Sequence, residues 1–360
     1  MNKKIFRTKE TTMIRSIAIF VCSFISISSA EIFTVPLIPD PQVYVAAYPH
    51  IFQSQIDWIV ANNVNWNVKF VLNEGDNVHF GVNKLQQWET VSSIFGKLDD
   101  NEIPYIMAVG NHDMGDVNMP TAHTRDTSNY NAYFPYTRYE NEPWYGNHYG
   151  NNNNNYYAQF TVDNIQFLVI TLEFAANDDV LSWANQVVSD HSNHFVIVVT
   201  HAYLGFNGYL LRDDPLGIQR YGIRDDGNDG LQTWEKFVSQ HKNIHMVVCG
   251  HIHSQQLNNC ARHQTNIGVH GNEVHELFAN FQGFPMGGSG YMPLMQFDTE
   301  LGIVYIDTYS PWLNEWLNMS EHEYEFYVPL SQYKNHSTNP VGPVQQPLSQ
   351  FTNQRKLTHE

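Results

Sequence analysis

Short apolar runs recur along this chain, and five of them end in polar residues of the same few kinds. Residues 33–38 lead to Asp40-Pro41-Gln42, residues 68–74 to Gly75-Asp76-Asn77, and residues 103–109 to Gly110-Asn111-His112-Asp113. Residues 195–200 stop at His201, and residues 244–249 at Gly250-His251-Ile252-His253. Apolar runs of this length bounded by turn residues predict buried strands. Between the first three, the spacing becomes helical. Residues 50–63 bring Ile51, Phe52, Ile56, Ile59 and Val60 to one face, and residues 84–98 do the same with Leu85, Trp88, Val91, Ile94 and Phe95. Strands alternating with helices predict an α/β fold with parallel strands.

The later pattern is more varied. Residues 156–161 and 165–171 flank Asp163-Asn164 as a hairpin would. Residues 180–188 and 231–241 have helical spacing, and 274–281, 291–297 and 302–309 are strand-like. Two stretches fit no regular element. Residues 114–157 are rich in Tyr, Asn and Pro, either a stacking platform for a substrate ring or a long loop packed down by its own aromatics. Residues 205–230 hold Arg212, Arg220 and Arg224, which could clamp a phosphate or pair with neighbouring Asp residues. The glycine-rich segment 283–290 lacks the pattern of a phosphate-binding P-loop. It allows either close backbone approach to a ligand or mobility.

The strand ends carry the chemistry. In open α/β sheets, ligands bind outside the carboxyl ends of strands. Asp, Asn and His there are candidate metal ligands, a further His can serve a reacting group, and an Asp can orient an imidazole. One such loop is an ordinary turn, but five in one chain are a constellation. In order and spacing over about residues 33–311, they resemble the calcineurin-like metallophosphoesterases. The motifs of that family run Asp-x-His, Gly-Asp, Gly-Asn-His-Asp/Glu, His and Gly-His-x-His.

The resemblance implies a four-layer α/β/β/α sandwich: two mixed sheets flanked by helices, with two metals at one edge. It assigns Asp40, Gln42, Asp76 and His253 to one metal and Asp76, Asn111, His201 and His251 to the other. Asp76 would bridge ions roughly 3.5–4 Å apart, and a metal-bridging hydroxide would attack phosphorus. His112 would stabilise the transition state or protonate the leaving oxygen, with Asp113 holding its tautomer. Mixed Asn, His and Asp ligands suit Mn, Fe or Zn better than Ca or Mg. One departure stands out: Gln42 occupies the position where most of the family has His, so that metal is bound more weakly or Gln42 acts through water. His148, in the aromatic stretch, and Arg224 are the candidate substrate contacts.

Composition bounds the setting. The first thirty residues hold a basic segment, a short apolar segment from 17 to 27, and Ser28-Ser29-Ala30 before Glu31. This predicts a cleaved signal peptide and a secreted, extracellular or endolysosomal protein. The apolar segment is too short for stable membrane insertion. A single domain is expected over 31–334, followed by a poorly ordered tail over 335–360. Asn318-Met319-Ser320 and Asn335-His336-Ser337 are glycosylation sequons.

The net charge is -17, and near -21 once the five basic residues and one acidic residue of the leader are removed. Such a surface excludes nucleic-acid binding through a basic patch. A phosphorylated small molecule or ester must then be drawn by local positive charge, which metal ions supply. Cys249 and Cys260 either pair around the His251 loop or remain buried thiols. The function expected is a phosphoester hydrolase. Monoester, diester, nucleotide and pyrophosphate substrates stay open, as does a non-catalytic module binding metal or phosphate on the same scaffold.

Overall fold

The computed structural model describes residues 31–118, 121–212 and 217–335. The expected signal peptide, and the expected tail after Asn335, lie outside the described residues. In chain order the strands are β1 (Ile32–Ile38), β2 (Val71–Asn73), β3 (Tyr105–Met107), β4 (Tyr145–His148), β5 (Tyr156–Val162), β6 (Ile165–Leu172) and β7 (Phe195–Thr200). They continue with β8 (Ile244–Cys249), β9 (Ala261–Ile267), β10 (Glu273–Ala279), β11 (Met292–Asp298), β12 (Ile303–Ser310), β13 (Glu315–Trp316) and β14 (Glu323–Tyr327).

They form two seven-stranded mixed sheets. The first runs β13-β12-β11-β1-β2-β3, with β14 also on β12; the second runs β4-β5-β6-β7-β8-β10-β9. Each has a parallel centre, β1-β2-β3 in one and β6-β7-β8-β10 in the other. Antiparallel strands extend both centres. The parallel strands are almost continuously apolar and buried, as strands covered on both faces must be. Between the sheets lies a phenylalanine layer. Phe33 stacks on Phe297 with centroids 4.9 Å apart and meets Phe167 edge-on at 5.3 Å; Phe160 stacks on Phe167 at 4.9 Å. Such contacts tie β1 and β11 to β5 and β6 across the interface.

The crossover helices form because their ends are marked. Pro49 opens the helix Pro49–Asn62, where its missing N–H costs nothing. Asn177 Oδ1 caps Asp178–Asp190 by accepting from Val180 N, and Asp229 forms a capping box with Gln232 at the start of Gly230–Lys236. Leu85–Asp100 buries Trp88, Val91, Ile94 and Phe95 as its spacing predicts. Leu85 does not follow: it is the first helical residue and is exposed.

Other expectations are resolved one way. Cys249 and Cys260 are free buried thiols, and the Cys260 Sγ donates instead to the Ser254 and Gln256 carbonyls. The aromatics of 114–157 mostly pack the loop down. Tyr130, Phe134, Tyr139 and Trp144 are buried, against Trp88, Phe95 and Tyr105. The glycine-rich segment approaches protein rather than ligand: Gly290 N donates to the Tyr44 hydroxyl at 2.8 Å, seating the short helix Gln42–Ala47. That helix, β9 and β14 carry no clear periodic signal and were not expected.

Candidate metal centre

All five motif loops leave the same edge of the sandwich. Asp40 follows β1, Asp76 follows β2 and Asn111-His112-Asp113 follows β3; His201 follows β7 and His251 follows β8. The first sheet thus supplies carboxylates and an amide, and the second supplies imidazoles. Asp40, Asp76 and His251 adopt positive φ (35°, 51° and 74°), a region few residues other than glycine enter. Strain of this kind persists where the surroundings over-determine it. Two glycines make the convergence possible. A Cβ on Gly110 would lie 2.2 Å from Asp76 Oδ1, and one on Gly250 would lie 2.0 Å from Asp40 Oδ2.

Asp40, Asp76 and His201 are fully buried or nearly so, and each offers one ligand atom such that all three lie within 4.8 Å of one another. His201 Nε2 is 3.2 Å from Asp76 Oδ2, 3.0 Å from Asn111 Oδ1 and 3.2 Å from His251 Nδ1. Its other nitrogen, Nδ1, donates to the Glu74 carbonyl at 2.9 Å, which fixes the ring with Nε2 toward the cluster. The Asp40 Oδ1 atom is buried and has no hydrogen-bond partner.

The electrostatics are those of a site built for cations. Burial pushes the Asp40 carboxyl up to about 7, only partly offset by His201. Burial also opposes Asp76, but His201 and His112 outweigh it and hold that carboxyl well below the usual range. Burial would lower His201; Asp76 and Asp40 reverse this and raise it to about 9. Glu74, buried beside Asp40 with no donor on either oxygen, is pushed well up by burial and by Asp40. Clustered carboxylates, an orphaned carboxylate oxygen and imidazole nitrogens turned inward are a donor set that fits divalent or trivalent ions.

A model of the "Calcineurin-like phosphoesterase" family matches residues 40–255, which span every one of these loops. The chain belongs to the calcineurin-like phosphoesterase family. That family is one of phosphoesterases, and membership implies a dinuclear metal centre, for which Asp40, Asp76 and His201 form a candidate site. An uncharacterized protein, YvnB of Bacillus subtilis, is 29% identical over 288 residues; the match covers 79% of this chain but only 20% of that relative. This chain therefore spans about a fifth of the relative's length. Among solved structures, the purple acid phosphatase PPD1 from yellow lupin superposes with a TM-score of 0.53 at 10% identity. The superposition covers 89% of this chain and 58% of that one, and supports the two-sheet fold.

Within this calcineurin-like frame, the other expected site residues differ in placement. Asn111 joins His201, and His251 lies against His201 and Phe174. His253 is exposed and stays outside the compact group. Gln42 turns its amide nitrogen, not its oxygen, toward the centre, donating to Asp76 Oδ2 at 2.9 Å. The backbone N–H of His112 donates to Asp76 Oδ1 at 2.9 Å.

Asp113 does not orient the His112 ring. Its carboxylate accepts from Gly110 N, Val78 N and the Asn77 amide, stapling the loop, while His112 Nδ1 bonds the His79 carbonyl at 2.8 Å. The physical reason is direction: a side chain at the third residue of a tight helical turn points back to the turn's own start. His148 stacks on Tyr136 at 4.2 Å, and Arg224 pairs with Asp225 on the surface, so these two side chains engage other partners than the cluster.

Four neighbours escaped sequence reasoning. Phe174 packs on His201 and His251, and Tyr221 on Phe174 and His251. Glu74 lies behind Asp40, and His79 bonds Gln42. For Glu74 a signal existed, an acidic residue at the end of a buried run. For His79 the only signal was its place three residues beyond Asp76.

Proposed function

We propose that this chain is a secreted phosphoesterase that acts on small phosphorylated esters with two bound metal ions. Asp40, Asp76 and His253 would hold one ion, and Asp76, Asn111, His201 and His251 the other, with Gln42 beside Asp76. The observation that carries this reading is the buried convergence of Asp40, Asp76 and His201 from two different sheets, with ligand atoms within 4.8 Å. Mixed nitrogen and oxygen donors favour Mn, Fe or Zn. Bound metal would supply Lewis acidity toward water and toward the phosphoryl oxygens.

The chain's own groups supply the rest. The His112 N–H holds one oxygen of Asp76 and the Gln42 amide holds the other, so this carboxylate is fixed at both ends. His112 Nδ1 is committed to the His79 carbonyl. Any proton that His112 passes to a leaving oxygen, as the P–O bond breaks, therefore travels through Nε2. Phe174 and Tyr221 wall the His251 side. Secretion is supported by the leader pattern, and glycosylation by the exposed Asn318 of one sequon.

The test pairs metal content with turnover. Protein beginning at Glu31 is assayed for bound Mn, Fe and Zn and for hydrolysis of an aryl phosphomonoester and an aryl phosphodiester. Asp76→Ala is expected to lose both metal and activity. His112→Ala is expected to keep its metal and lose turnover by about 10²–10⁴-fold. The preferred ester then defines the substrate class. Bound metal without turnover of either ester would favour a binding module, and absence of bound metal would sink the assignment.

A further inference from the structure

His79 has none of the strand-end signature, yet it touches both sides of the centre. Its Nδ1 lies 3.0 Å from Gln42 Oε1. Its backbone carbonyl lies 2.8 Å from His112 Nδ1. Its ring stacks on that of His112, with centroids 5.0 Å apart and planes 15° from parallel. The segment is fixed from behind: the N–H groups of His79 and Phe80 both donate to Gln87 Oε1, at 3.0 and 2.8 Å. Gln87 sits on the helix Leu85–Asp100, so the anchor is rigid.

Three hydrogen bonds decide which way round the Gln42 amide lies. One end meets Asp76 Oδ2 at 2.9 Å and Gln282 Oε1 at 2.7 Å. An ionised carboxylate only accepts, so that end is the nitrogen. The oxygen then faces His79, and an amide oxygen cannot donate. His79 must carry its proton on Nδ1. The line of donors runs from the His79 imidazole through the Gln42 amide to the Asp76 carboxylate.

We infer that His79 is a positioning residue, which locks Gln42 with its amide nitrogen on Asp76 and so holds that carboxylate in its ligating position. Gln42 is then a hydrogen-bonding arm rather than a metal ligand. The inference rests on the proposed role of Asp76 as the bridging ligand. Without the Nδ1–H, the buried Gln42 oxygen loses its donor, and the amide gains the freedom to turn its oxygen against Asp76. The His79 carbonyl survives any side-chain substitution, so His112 Nδ1 keeps its hydrogen bond and loses only the stacked ring, and metal affinity is therefore the readout.

The experiment is a double-mutant cycle on metal affinity, measured by competition with a chelator using Mn and Zn. His79→Ala is expected to weaken metal binding about 10-fold or more, in the range that orienting partners of ligands command. His79→Asn, whose amide N–H can replace the Nδ1–H, is expected to recover most of the loss. In a Gln42→Ala background, His79→Ala should cost nothing further. In metal-free protein, ¹⁵N NMR should find the His79 ring protonated on Nδ1, and Gln42→Ala should shift it toward the Nε2–H form. Unchanged affinity in His79→Ala, losses that add in the double variant, or an Nε2–H tautomer in the wild type would each overturn the proposal. If Asp76→Ala binds metal as well as wild type, the reading of the centre has failed instead, and the tautomer measurement still reports on the His79–Gln42 bond.

Discussion

Asp113 follows the proposed catalyst in sequence, yet its work is on the backbone. It accepts from Gly110 N at 2.8 Å, Asn77 Nδ2 at 2.9 Å and Val78 N at 3.2 Å, and it is almost fully buried. Asp113→Ala leaves the Gly110 and Val78 N–H groups without this partner, at about 1–3 kcal/mol for a buried unsatisfied group, while Asn77 Nδ2 keeps the Ala108 carbonyl at 3.0 Å. The expected outcome is a fall of about 3 kcal/mol in urea unfolding stability, with turnover lost in proportion to the disordered loop. Asp113→Asn keeps an acceptor oxygen and should lose less. A full loss of turnover at unchanged stability would contradict the staple. At this scale the sequence was legible in part. Asp40, Asp76, Asn111, His201 and His251 each end an apolar run, and that placement made them visible. Phe174 and Tyr221 act through stacking, and His79 through its stacked ring, its backbone carbonyl and a hydrogen bond to Gln42, contacts that residue type and spacing do not encode.

At the scale of elements, two histidines lie in strand interfaces rather than in the centre. His245 on β8 stacks on Phe195 and bonds the Tyr333 hydroxyl at 2.8 Å. His263 on β9 stacks on Tyr324 and Phe326 of β14, which belongs to the other sheet. Burial pulls each down to about 4. Between about pH 6.5 and 4 the unfolded chain therefore takes up protons that the folded chain refuses, and stability falls as the pH falls through that window. With allowance for partial exposure, each histidine contributes on the order of 1–2 kcal/mol. Urea midpoints at pH 7 and pH 5 should differ accordingly, and His245→Gln with His263→Gln should reduce the difference, of which His194, also pulled down to about 4 by burial, keeps a share. A midpoint equally pH-dependent in the variants would remove these two groups from the account. The parallel strands were read from their apolar runs because burial on both faces leaves a continuous signal. β9 was not, because Arg262, His263, Gln264 and Asn266 give an edge strand little apolar content.

At the scale of the molecule, the family match ends at residue 255, but the folded unit does not. β11 pairs antiparallel with β1 over Ile32–Asp298 through Pro36–Leu294, and β10 closes on β8. A chain cut after residue 255 loses both neighbours and exposes the edge of β1, the strand that carries Asp40. Such a fragment is expected to be insoluble or to melt without a cooperative transition. A soluble, cooperatively folded fragment would show that β11 is dispensable. Sequence reasoning found strands in this C-terminal region but could not say that one returns to lie beside the first. Long-range pairing is set by the packing of the phenylalanine layer, not by local pattern.

The place of β11 also sets an order of events. The chain emerges from the ribosome with Asp40, Asp76 and Asn111 first, then the imidazoles, and only afterwards the strand that completes the first sheet. A nascent chain that has not reached β11 lacks the strand beside the one that carries Asp40. On the proposed two-metal reading, the ions would bind only once that strand is in place, from whatever the surroundings offer at that moment. Where the chain folds, as much as the chemistry of its ligands, would then select the metal.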